Sequence, residues 1–94
     1  MIKSYENVYI LKGSMTEEQA KKEIENIKKY FKNTEVCQED YLGKRKLAYS
    51  IGKETEGYYY LTHFKAIAGE VERIEMNLKL NDDVMKFVTI RTND

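Results

Sequence analysis

Proline is absent from this chain of 94 residues, cysteine and histidine occur once each, and the five glycines are scattered. No linker, low-complexity tract or repeat divides the sequence, and the chain is too short for two separate cores, so one domain over residues 1–94 is the expectation. A lone Cys37 cannot close an intrachain disulfide, and with a lone His63 it cannot build a zinc site. Structural metal and disulfide stapling are excluded on that ground. The longest apolar runs, such as residues 8–11 and 58–61, reach four residues, against roughly 20 for a helix that spans a bilayer. No membrane partner is therefore expected. The first residues, Met-Ile-Lys-Ser-Tyr-Glu-Asn, have no apolar signal core and no small-residue cleavage site. Export is not signalled, and a cytoplasmic location is the expectation.

Charge of one sign is also missing. Lysine and arginine number 16, as do aspartate and glutamate, so no net field draws in a polyanion from a distance. Nucleic-acid binding would then be local, with the phosphate attraction carried by a few lysines or by a second protein. What is present suffices for a core: 41% of residues are apolar and 12% aromatic, beneath a surface supplied by the 34% that are charged. A disordered chain is excluded.

Residues 3–11 are rich in β-branched and aromatic side chains and end near Gly13, which reads as a first strand, central because both faces carry apolar groups. Thr16-Glu17-Glu18-Gln19 has the form of a capping box, with Ser14 and Glu17 as an alternative frame. Ala20, Ile24, Ile27 and Phe31 then recur at helical spacing against a charged face, predicting an amphipathic helix over residues 16–32. Residues 35–51 read as extended, with Gly43 marking a bulge or bend. Residues 52–57 are turn chemistry, and residues 58–65 are the most strand-like segment, so the two runs form a hairpin. Val71, Ile74 and Leu78 share one face of a second helix over residues 69–80, Asn81-Asp82-Asp83 ends it, and residues 84–91 form a last strand. The order β-α-β-β-α-β predicts an α+β, ferredoxin-like fold: a four-stranded antiparallel sheet with both helices on one face. The other face is left open to solvent or to a partner.

Candidate catalytic groups are thin. His63 has no serine, cysteine or acid near it in sequence, Cys37 has no basic neighbour, and Asp82-Asp83 reads as a helix-end turn. Glycine-rich phosphate loops do not occur. No enzyme activity, catalytic residue, metal, cofactor or small-molecule substrate is expected. The mixed charges of the first helix read as a solvated face.

Two features exceed a bland reading. Val8-Tyr9-Ile10-Leu11 and Gly57-Tyr58-Tyr59-Tyr60-Leu61 fall on neighbouring central strands, where RNA-recognition-motif domains of this topology stack bases. The likeness is partial: Glu56 stands where that signature has a cation, and Tyr59 fills a glycine position. Ordinary sheet packing is the simpler account of these tyrosines. The second feature is Gly43-Lys44-Arg45-Lys46-Leu47-Ala48-Tyr49-Ser50-Ile51, followed by Lys53 and Gly57-Tyr58. As a bare pattern it fits a charged edge that discourages aggregation as well as it fits a binding surface.

The specific string closely resembles the Gly-x-Arg-Arg/Lys-Leu-Ala-Tyr-x-Ile-x-Lys…Gly-Tyr block of the bacterial small-subunit ribosomal protein six family. Tyr5-Glu6 before an apolar strand, and Asn81-Asp82-Asp83-Val84 before the last strand, agree with it, and the likeness runs over nearly the whole chain. The resemblance implies the same fold, no catalysis, and binding to the central domain of small-subunit ribosomal RNA as a heterodimer with small-subunit ribosomal protein eighteen, within the small subunit. It implies RNA-facing cations at Lys3, Lys53, Lys86 and Arg91, and a partner-protein edge at Arg45, Lys46, Leu47, Ala48 and Tyr49. The neutral charge fits a division in which a basic partner supplies much of the phosphate contact. The chain departs from the family at Ser50, where proline is common, at Asn7, where an apolar residue is expected, and in stopping at Asp94 without the longer tail of some members. A rival reading is a free-standing single-strand RNA binder with Tyr9, Tyr58 and Tyr60 outward as stacking groups. A third is a ligand-sensing or self-associating regulatory domain, supported by fold analogy alone.

Overall fold

The computed structural model describes residues 1–92; the chain end at Asp94, where the longer tail of some family members would follow, lies outside the described residues. Strands β1 (Lys3–Lys12), β2 (Glu35–Ile51), β3 (Glu54–Ala66) and β4 (Val84–Arg91) form one antiparallel sheet in the order β2-β3-β1-β4. Helices α1 (Glu17–Ile27) and α2 (Ala68–Leu80) pack on one of its faces. This is the split β-α-β arrangement expected from the element order. The first helix is shorter than its apolar spacing predicts, because the chain tightens into a 3₁₀ turn at Lys28–Phe31.

Local chemistry accounts for the boundaries. The Thr16 hydroxyl accepts from the Gln19 amide at 3.1 Å and the Thr16 amide donates to the Gln19 side chain at 2.9 Å, so Thr16 caps α1. Ser14 is not a cap; its amide donates to the Glu54 carboxylate and ties the β1–α1 loop to the hairpin. The hairpin turn is tighter than the polar stretch 52–57 suggests. Ile51 pairs with Glu54 across only Gly52 and Lys53, with Gly52 at φ 60°, a conformation that favours glycine at the first position of such a turn. Residues 54–57 therefore belong to β3, and their charged side chains mark exposed strand, not loop.

Residues opposite each other in an antiparallel pair share a face. Tyr9 pairs with Tyr60, Leu11 with Tyr58 and Tyr5 with Phe64, and these side chains meet Ile24, Ile27, Phe31, Ile74 and Leu78 from the helices. Tyr9, Tyr58 and Tyr60 are 1%, 4% and 6% exposed, so the rival expectation that they form an outward stacking platform is overturned. Their rings supply the core that holds both helices to the sheet. Asn7 also points inward, fully buried, with its amide nitrogen donating to the Thr89 hydroxyl at 2.8 Å. That bond meets part of the cost of placing an amide where an apolar residue is expected.

Burial pushes the Tyr9 hydroxyl up, with Tyr60 adding to the effect. Burial and then Glu39 do the same for Tyr60. Tyr41 is pushed up to about 12, by loss of solvent first and then by its 3.0 Å hydrogen bond to the Glu17 carboxylate. All three phenols ionise more readily in the unfolded chain. Their stabilisation is complete below about pH 10 and is lost as pH rises from there through the folded values. Thermal unfolding midpoints are expected to hold up to about pH 10 and to fall from there toward about pH 12; a flat series across that window would contradict the burial of the Tyr9 and Tyr60 hydroxyls.

Candidate nucleic-acid interface

With the odd-numbered positions of β1 committed to the helices, its even-numbered positions and their cross-strand partners make the open face. At the end of the sheet nearest the hairpin, Arg45, Gly57 and Lys12 lie in one row. The next row is Gly43, Tyr59, Ile10 and Lys86. These two rows hold three cations and no carboxylate. Below them come Asp40, Leu61, Val8 and Val88, then Gln38, His63, Glu6 and Ile90, and then Glu35, Lys65 and Ser4. The carboxylates of the open face, Asp40, Glu6 and Glu35, thus all lie below the two rows nearest the hairpin. A chain with no net charge carries a local cationic field at one end of one face, where a phosphate would feel it.

The structure divides the four cations expected to face RNA. Lys53 is exposed at the hairpin turn and Lys86 is exposed on the upper open face. Lys3 and Arg91 sit at the far end of the sheet, opposite Ala66 and Tyr5, and share the helix-side parity of those residues. Two separate basic sites result, not one. Among the described residues none of the four forms an ion pair, so each is available to an outside anion. Lys44 is different: its ammonium lies 4.0 Å from Glu56 and 5.6 Å from the centre of the Tyr58 ring, on the helix side.

The segment expected as a partner edge is irregular. Lys46 pairs with Glu56 and the next paired residue on β2 is Ile51, so residues 47–50 bow out of the ladder. Leu47 turns in, 9% exposed, while Tyr49 stands out at 87% exposure with exposed Ala48 and Ser50 beside it. Arg45 and Lys46 are exposed, and the Arg45 Nε donates to the Leu42 carbonyl at 3.1 Å. An aromatic ring held clear of its own chain on an edge strand is suited to anchoring a second protein.

Other candidate groups gain no chemical setting. His63 meets Glu6 across the strands at 3.9 Å, a partner that sequence distance conceals. Cys37 is exposed in a bulge of β2, and not packed as a small apolar residue. Asn81 ends α2, its side-chain nitrogen donates to Glu23 and Tyr30, and its side-chain oxygen accepts from the Asp83 amide, so this turn is structural. Sequence reasoning missed Lys12 and Tyr59 as surface groups. Strand alternation could have placed both outward had the inward parity of Asn7 been known.

A four-stranded antiparallel sheet backed by helices on one side, with a part-cationic open face and a projecting tyrosine, defines an α+β protein of the ferredoxin-like class. The sequence profile of the family described as Ribosomal protein S6 matches residues 4–91. Small ribosomal subunit protein bS6 of Thermoanaerobacter pseudethanolicus is 38% identical over 95 aligned positions, covering 99% of this chain and 100% of that protein. The bS6 of Sulfurovum sp. is 38% identical over 89 positions, covering 93% of this chain and 70% of that protein. In fold, the chain matches the crystal structure of 30S ribosomal protein S6 from Thermotoga maritima with a TM-score of 0.90 at 23% identity, over 98% of this chain and 89% of that one. The chain belongs to the ribosomal protein S6 family and is a structural component of the small ribosomal subunit.

Proposed function

We propose that the chain binds the central domain of small-subunit ribosomal RNA as a heterodimer with small-subunit ribosomal protein eighteen, holding folded RNA through backbone contacts and performing no chemistry. The observation that carries this reading is the segregation of charge on the open face, with Arg45, Lys12 and Lys86 in its upper half and Lys53 at the adjoining hairpin turn. Phosphate contacts position a protein without reading sequence, and a few unpaired cations suffice when a basic partner shares the load. Lys3 and Arg91 form a second contact at the opposite end of the sheet. The partner protein docks on the hairpin edge, with Tyr49 as the anchor, Lys46 and Ala48 around it, Leu47 beneath as the packed support of the bowed segment, and Arg45 at the border between this edge and the open face, where it can reach both partner and RNA.

Tyr49→Ala tests the partner half of the proposal. The ring makes no internal aromatic contact and is almost fully exposed, so the variant is expected to keep the parent's unfolding midpoint. Loss of an aromatic anchor at an interface centre typically weakens binding by about 30-fold or more. Calorimetric titration of small-subunit protein eighteen into each variant reads this directly. Equal affinities for the two would move the partner surface away from residues 45–49.

A further inference from the structure

The upper open face holds one aromatic side chain among the described residues, and the RNA contact described above gives it no task. Tyr59 is partly exposed, forms none of the aromatic contacts that occupy Tyr5, Tyr9, Tyr60, Phe31 and Phe64, and faces away from the helices. Its neighbour on β2 is Gly43, at φ 80°, and a Cβ built there would meet nothing within 4 Å. The residue opposite Tyr59 on β2 therefore has no side chain to pack against the ring. The neighbour on β1 is Ile10, only 8% exposed, and beyond it in the same row lies Lys86.

One row toward the hairpin, about 7 Å along the strand, Lys12 and Arg45 stand on either side of Gly57. Gly57 has no side chain because a Cβ there would lie 2.4 Å from Ile10 Cγ2 and 2.9 Å from Met85 Cε. These packed methyl groups fill the floor between the two cations and keep them apart. The arrangement is a single aromatic side chain with three cations, and no carboxylate, in its own row and the next.

That combination selects among ligands. An apolar partner surface would favour the lower rows, where Val88 and Ile90 are 50% and 53% exposed at the β4 edge. A ring among cations suits a nucleotide, whose base stacks while its phosphates meet lysine and arginine. We propose that Tyr59 is a stacking platform for one unpaired base of the bound RNA, with Lys12 and Arg45 holding the adjoining phosphates. The inference rests on the RNA-binding reading above and adds to it the kind of RNA element recognised: an unstacked nucleotide, not only a helical backbone.

The test compares four variants of the partner-loaded heterodimer, the charge reversal at Lys53 and Lys86 among them, titrated with a transcript of the central domain of small-subunit ribosomal RNA over a series of salt concentrations. Tyr59→Leu removes the ring and is expected to weaken binding roughly 5- to 150-fold with an unchanged salt slope, since stacking is not a counterion effect. Tyr59→Phe keeps the ring and is expected to stay within about twofold of the parent. Lys12→Gln is expected to flatten the salt slope by roughly 0.7 to 0.9. Circular dichroism melts confirm that each variant is folded. Tyr59→Leu binding as tightly as the parent, or Tyr59→Phe binding as weakly as Tyr59→Leu, would overturn the stacking role. If reversing Lys53 and Lys86 weakens binding while Tyr59→Leu does not, the platform alone fails. If neither change matters, the RNA-binding reading fails with it.

Discussion

Phe64→Ala is expected to cost about 3–5 kcal/mol of folding stability, a large part of the roughly 5–15 kcal/mol typical of a domain. Phe64 is fully buried and stands where three elements meet. Its ring lies 5.7 Å from Tyr5 on the neighbouring strand, stacked, and 5.2 Å from Phe31 in the turn that follows α1, edge to face. Alanine would leave a cavity bounded by rigid aromatic rings that cannot collapse into it, which places the cost toward the upper part of the range. The consequence reaches function through register. Phe64 pairs with Tyr5 and with Val36, so it fixes β3 between β1 and β2, and that pairing sets the rows of the open face. Urea unfolding of the parent and the variant measures the loss; a difference under about 1 kcal/mol would contradict this packing account.

The double change Lys53→Glu with Lys86→Glu is expected to have the largest effect on RNA. Both residues are exposed, neither is ion-paired among the described residues, and they lie at the hairpin turn and on the upper open face. Losing two phosphate contacts flattens the dependence of log affinity on log salt by roughly 1.8 if the RNA behaves like duplex DNA, and by about 1.4 if it behaves like a single strand. Reversal adds repulsion, so the affinity loss at low salt should exceed that of the corresponding glutamine variants. Because both side chains are exposed, the folded state should be little changed. Unchanged affinity of the partner-loaded complex for the central-domain RNA would remove these two residues from the interface.

Much of this was legible in the sequence because the signals were local. The capping box at Thr16 and Gln19, the helical recurrence of Ala20, Ile24 and Ile27, and the 84–91 strand each depend on neighbours within a few residues. The tyrosines were harder. A central strand is apolar on both faces, so alternation loses its contrast, and Tyr58, Tyr59 and Tyr60 differ in orientation without differing in type. Asn7 deepened the ambiguity, since its burial depends on Thr89, 82 residues away. The grouping of cations was out of reach for another reason. Arg45 shares a row with Lys12 only because bulges shift the register of β2 against β3 between Val36 and Gln38 and again between Tyr41 and Gly43. The same strands separate Lys3 and Arg91 from Lys53 and Lys86, which a list of basic positions would leave as one set.

In the proposed complex the upper open face and the hairpin, not the helices, meet the RNA. Lysine acetylation of intact small subunits, read by mass spectrometry against the free folded chain, tests it most directly. Lys21 and Lys22 of α1 and Lys29 of the 3₁₀ turn after it are exposed and serve as the internal reference. The account predicts that Lys12, Lys53 and Lys86 lose reactivity in the subunit while these three keep theirs. Protection of Lys21, Lys22 and Lys29 with undiminished labelling of Lys12, Lys53 and Lys86 would contradict it.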